Sequence, residues 1–203
     1  MFGAIIYVPL FVQRVLGESA SSSGVVLTPL MLGIITTSIV AGQIVSRTGH
    51  YRAVLMAGPP LLALGFLLLT QIGVGTSELT ITRDVVIVGL GIGLMMQTLT
   101  VAVQNSVGRR RIGVATASVQ FFRTVGAMAG VSVMGAIVTA RLGGIGTEQV
   151  SPADLAGALH PVFVLAIGLA AVALAAVLFV PHIELRKTME ETTRSPEPLR
   201  EAA

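Results

Sequence analysis

Arg123 is the charge in this chain best placed to do chemistry, because it alone stands well inside a long apolar run. A guanidinium in hydrocarbon costs at least about 2.5 kcal/mol unless water, an anion or an acceptor meets it. It therefore offers a binding point on the wall of a cavity; the bland alternative is a side chain that reaches back to the nearer membrane surface. Thr116, Gln120, Arg123, Ala127 and Gly130 follow at intervals of four, three, four and three, which places them on one helical stripe, polar at one end and small at the other. Gln97, Thr100 and Gln104 form a second stripe, spaced three and four. Together Gln97, Thr100, Gln104, Gln120 and Arg123 make a candidate substrate path. As cavity walls they would bind a small organic molecule, as interhelical glue they need none, and the spacing serves either.

Other chemistries find no residues. There is no HExxH, no pair of carboxylates inside an apolar run, and His50, His160 and His182 all fall near the ends of such runs. Cysteine is absent, which excludes disulfides, thiolate nucleophiles and Cys-ligated metal. No catalytic residue, metal or cofactor is expected. Asp84, next to Arg83, touches the start of an apolar run, where an N-cap or a surface pair is the expected role. Gly89, Gly91 and Gly93 spell GxGxG, but without a preceding strand this is no dinucleotide loop; with the GxxxG of Gly126 and Gly130 they predict close helix packing.

The elements that must hold these residues are membrane helices. Hydrophobic residues make up 53% of the chain and charged ones 11%, with a mean hydropathy of +0.87, whereas soluble domains carry about 25% charge. A span needs roughly 20 apolar residues. Windows at about 24–45, 53–75, 85–107, 115–140 and 160–181 satisfy that length. A further window at 2–16 covers only about 22 Å as a helix, and it begins at Met1 without a basic leader or a polar flank. The expectation is a truncated first helix, in a fragment or a chain with a misassigned start. Pro9, Pro29 and the Pro59–Pro60 pair are expected to bend helices.

If the first window runs outward, nine Lys and Arg residues gather on one side of the membrane (Arg47, Arg52, Arg109–Arg111, Arg186, Lys187, Arg194, Arg200), against Arg14, Arg83 and Arg141 on the other. Basic residues in short loops mark the cytoplasmic side. The prediction is a multi-pass protein of the cell membrane with a cytoplasmic, disordered tail at 182–203. The pI near 10.2 reflects this topology; with a net charge of +3 and no basic residues interleaved with aromatics, no nucleic-acid partner is expected. Thr36, Thr37, Gln43, Gln97, Thr100, Gln104, Gln120 and Arg123 fall in the second, fourth and fifth windows, which are predicted to face a bundle interior, with the third and sixth at the lipid perimeter.

Between the second and third windows lies GQIVSRTGHYR, in which Gly42 permits close approach, Ser46 and Arg47 end a helix, Gly49 turns the chain and Arg52 opens the next segment. This resembles the G-x-x-x-D-R-x-G-R loop of the major facilitator superfamily, with Ser46 where that motif has Asp. The blocks YVPLFVQRVLGESASSSGVVLTPL and VQNSVGRRRIGVATASVQFFRTVGAMAGVSVMGAIVTARL, together with PHIELRK, resemble the last six helices of the superfamily's 14-helix drug:proton antiporters. The resemblance implies an all-α six-helix half-bundle with its cavity lined by the first, second, fourth and fifth segments. It also implies export of amphipathic cationic or neutral organic compounds in exchange for protons, by rocking around a midplane site. The implied partners are the lipid bilayer, a small organic substrate and protons in the full-length context, and the missing N-terminal half. A non-transporting membrane subunit that pairs with itself or with a separate N-terminal half is the alternative.

Overall fold

A backbone in hydrocarbon has no water to bond with and must satisfy its own polar groups, so apolar segments of this length fold as helices. A computed structural model describes residues 2–73, 75–143 and 150–179. Seven helices follow in order: α1 Phe2–Arg14, α2 Ala20–Val25, α3 Leu27–Thr48, α4 Tyr51–Leu69, α5 Glu78–Ser106, α6 Ile112–Arg141 and α7 Pro152–Leu178. Among the described residues there is no strand, and five helical spans are long and apolar enough to cross a membrane. The tail at 182–203, with the four basic residues counted there, lies outside the described residues.

Helix ends are decided by caps where hydropathy is silent. The α5 helix begins seven residues before its apolar window because the Ser77 hydroxyl accepts from the Thr80 amide at 3.3 Å. The last helix begins eight residues early, with Ser151 accepting from the Asp154 amide at 3.2 Å and Pro152 in its first turn. Of the two roles read for Asp84 the cap falls to Ser77, while Asp84, in the second turn and only 1% exposed, makes the expected pair with the exposed Arg83 at 2.8 Å.

The core gathers on α1. Tyr7, Val8, Phe11 and Val12 are buried with Ile81, Val85 and Val88 of α5 and with Leu155, Leu159 and Phe163 of α7. The short first helix thus contributes one wall of this core beside α5 and α7. A smaller cluster of Ala41, Val45, Tyr51 and Val54 joins α3 and α4 to α5 at the other end. The α5 helix packs along both α3 and α4, and α4 in turn along α7.

Burial differs from the expected sorting. Only 22% of the α3 span and 11% of the α6 span are buried, against 39% for both α4 and α5. Met31, Leu32, Ile35 and Ile39 on α3, and Phe121, Phe122, Val125 and Met128 on α6, are exposed. Of the three helices predicted to face an interior, α3 and α6 are therefore the least covered, because no described residue lies against these faces, whereas α5 is among the most covered.

Thr98 is fully buried in α5, and its hydroxyl has no hydrogen-bond partner among the described residues. Thr98→Val removes that orphan at nearly constant shape. It is expected to leave stability unchanged or raise it by up to about 1 kcal/mol, read as thermal unfolding in detergent; a clear loss would reveal a partner for the hydroxyl.

Candidate functional site

The glycine run makes α5 a flat surface that two neighbours approach at backbone distance. A Cβ on Gly89 would stand 2.5 Å from the Leu30 carbonyl oxygen, one on Gly91 would stand 2.8 Å from the Leu62 backbone nitrogen, and one on Gly93 would meet the Thr37 hydroxyl. Ser38 adds a bond across the same seam, donating to the Gly93 carbonyl at 3.3 Å. The α3 and α4 helices thereby flank α5, and its remaining face turns toward α6.

On that face a cavity of about 710 Å³ opens between α5 and α6. Met95, Met96, Leu99 and Thr100 line it from α5, and Val119, Phe122 and Arg123 from α6. Drug-sized ligands occupy pockets of about 300–1,000 Å³ with apolar walls and few polar groups. A second cavity of about 300 Å³ adjoins it, sharing Met95, Met96 and Arg123 and continuing past Gly126 and Gly130 to Gly3 and Leu169. Arg123 is half-buried, lines both, and has no ion pair or hydrogen bond among the described residues. Because α6 starts at Ile112, the side chain departs about 16 Å along the helix axis from that end.

The other candidates are dispersed. Thr100 lines the large cavity and returns its hydroxyl to the Met96 carbonyl at 2.8 Å. Gln104 stands near its rim, donating to the Thr116 hydroxyl at 3.0 Å and so linking α5 to α6. Gln97 faces α3, where its Cγ lies 3.6 Å from the Cβ position of Gly42. Gln120 is exposed and lines neither cavity. Gly126 and Gly130 meet no neighbour among the described residues: a Cβ on either would find nothing within 4 Å there. Sequence reasoning missed Met95, Met96, Leu99 and Phe122, which form the apolar body of the site. The adjacent methionines, adaptable and polarizable, were the one available signal.

The loop residues hold the opposite ends of the helices in register. Gly49 takes φ +73°, the left-handed conformation that ends α3, and its amide donates to the Val45 carbonyl at 2.9 Å. Ser46 is exposed and donates to the Gln43 carbonyl at 3.0 Å, and Arg47 is exposed in the last turn. Arg52 reaches across the bundle and donates to the Leu178 carbonyl at 3.1 Å, placing a cation at the C-terminus of α7.

Comparison with known proteins agrees with this architecture. Residues 1–131 match the Major Facilitator Superfamily. The chain is 44% identical over 152 residues to the multidrug transporter protein MdtP of Bacillus subtilis, covering 75% of this chain and 28% of that protein. It is 41% identical over 137 residues to the MFS-type transporter Rv1877 of Mycobacterium tuberculosis, covering 68% and 20%, and 29% identical over 140 residues to a tetracycline resistance determinant of Streptomyces rimosus, covering 69% and 40%. The chain thus spans between a fifth and two fifths of the length of these relatives. The first two are named as transporters rather than enzymes, and with a family match over most of its spanning helices this chain belongs to the Major Facilitator Superfamily.

Proposed function

We propose that the chain is the C-terminal six-helix half of a 14-helix drug:proton antiporter, exporting drug-like organic compounds when a complementary bundle closes over it. The carrying observation is the apolar cavity between α5 and α6 with Arg123 on its wall. Thr100 and Arg123 are its substrate-contacting polar groups. Gln104 holds its rim, Gln97 steadies α3 against α5, and the loop around Arg47 and Arg52 couples α3 and α4 to α7. The bare faces of α3 and α6 are where the second bundle docks, which supports inactivity of the chain alone. Proton coupling falls to that second bundle, because no carboxylate lines either cavity among the described residues. The basic loop ends and the tail face the cytoplasm.

Two experiments test this. In bacteria lacking their own exporters, the chain replaces the matching segment of B. subtilis MdtP, and accumulation of a panel of fluorescent organic compounds is followed. The chimera is expected to lower accumulation in an uncoupler-sensitive way, while the chain alone matches the empty vector. A chimera that inserts at normal abundance yet exports nothing contradicts the proposal. For orientation, the cysteine-free sequence allows single thiols at Gly108 and Thr76. An impermeant maleimide added to intact cells should label Thr76→Cys and spare Gly108→Cys; the reverse pattern inverts the topology.

A further inference from the structure

Resting on the transport reading above, we infer that the cavity selects organic anions and neutral compounds over cations, with the Arg123 guanidinium as the anion-binding group. The amphipathic cations that the sequence resemblance implies would be its poorest ligands from this side of the path.

The charge inventory of the site carries the inference. Among the residues that line the two cavities, Arg123 is the one ionisable group, and Asp and Glu are absent from both walls. The guanidinium is half-buried and unmatched among the described residues. The polar wall groups of the large cavity besides Arg123, Thr100 and Ser118, are neutral hydroxyls bonded to the Met96 and Val114 carbonyls and carry no charge to offset a cation. Around this point the walls are Met95, Met96, Leu99, Val119 and Phe122. In such low-dielectric surroundings a carboxylate or sulfonate gains a charge-assisted, two-pronged bond to the guanidinium fork, which also relieves the unmet cost of the arginine itself. A ligand cation meets like charge with no acid to offset it. Snorkelling to the surface is disfavoured because the side chain leaves the helix about three turns in from Ile112.

The probes are three pyrenes that share one apolar body: 1-pyrenebutyrate, 1-pyrenebutanol and 1-pyrenebutyltrimethylammonium. Each is titrated onto the purified full chain in lipid nanodiscs, and partitioning into empty nanodiscs is subtracted. Since a hydrogen bond to a charged group contributes about 1.5–3 kcal/mol, butyrate is expected to bind about ten- to a hundredfold more tightly than butanol, with the ammonium weakest. Arg123→Gln should abolish the preference, bringing butyrate to the affinity of butanol measured on the same variant, whereas Arg123→Lys should keep part of it. Circular dichroism and gel filtration confirm folding, and the lysine variant serves if the glutamine variant fails to fold.

Equal binding of all three, tightest binding of the ammonium, or a preference that survives Arg123→Gln overturns the inference; the last would assign anion attraction to the exposed Arg110 and Arg111. No saturable binding of any probe also overturns it and makes the cavity a seat for a partner helix. The two proposals fail separately. A chimera that exports pyrenebutanol without anion preference removes the charge selectivity and keeps transport, whereas anion-selective binding in a chimera that exports nothing removes transport and keeps the site.

Discussion

Replacing Gly89 or Gly93 with valine is expected to separate α3 from α5 and to remove most of the protein from the membrane fraction, with what remains unfolding well below the parent in detergent. At Gly89 the first added carbon stands 2.5 Å from the Leu30 carbonyl oxygen and 3.3 Å from its carbonyl carbon; at Gly93 it stands 2.5 Å from the Ile34 carbonyl oxygen. These obstacles are main chain, which no rotamer change can move aside. Overpacking a core costs about 1–3 kcal/mol even where side chains can adjust, so shifting a whole helix should exceed that range. Gly126→Val and Gly130→Val are the controls, since each enters open space. They should retain normal abundance and instead narrow the second cavity, changing which compounds accumulate. Loss of abundance in all four variants alike would contradict the division between packing and cavity glycines.

Arg123→Ala is expected to cut export of an anionic compound such as 1-pyrenebutyrate by the chimera at least about tenfold while membrane abundance stays within about twofold of the parent. The abundance expectation follows from the side chain's lack of partners among the described residues: removing a partly buried cation unpaired there relieves a cost in hydrocarbon of about 2.5 kcal/mol or more. The export expectation follows from its place on both cavity walls. Lost abundance with unchanged export per molecule would assign Arg123 to packing or to the membrane surface. Gln104→Leu is a useful comparison, because interhelical hydrogen bonds in membranes contribute about 0.6 kcal/mol on average and its loss should be mild on both readouts.

How much of this was legible in the sequence varies with the physics involved. Long uncharged runs identified the spanning helices, because bilayer thickness imposes a length that no tertiary contact can override. Their ends were not legible from hydropathy, since the Ser77 and Ser151 caps act through local hydrogen bonds on helices that continue beyond the apolar run. The GxGxG run could be read as a packing surface, as a glycine repeat inside a span has few other uses. The GxxxG of Gly126 and Gly130 looks the same on paper but opens onto a cavity, because which helix faces a small-residue stripe is a property of the whole bundle. Among the polar residues, helical spacing placed Gln97, Thr100 and Gln104 on one stripe, yet each meets a different neighbour. A stripe is broad enough to touch α3 on one flank and α6 on the other. The apolar lining of Met95, Met96, Leu99 and Phe122 was hidden because in a membrane helix such residues face lipid, core and cavity alike.

The central claim is that the space between α5 and α6 is the path of an exported compound, and substrate protection of single thiols tests it most directly. Cysteine is placed at Ser118 or Val119, which line the large cavity, and at exposed Val172 on α7 as the control, in the chimera and in an otherwise cysteine-free background. Maleimide labelling rates are then compared with and without an exported compound. The account predicts slower labelling at Ser118→Cys and Val119→Cys, saturating at the concentration that saturates export, with no change at Val172→Cys. Unprotected labelling at both cavity positions during active export would place the path elsewhere and contradict the account.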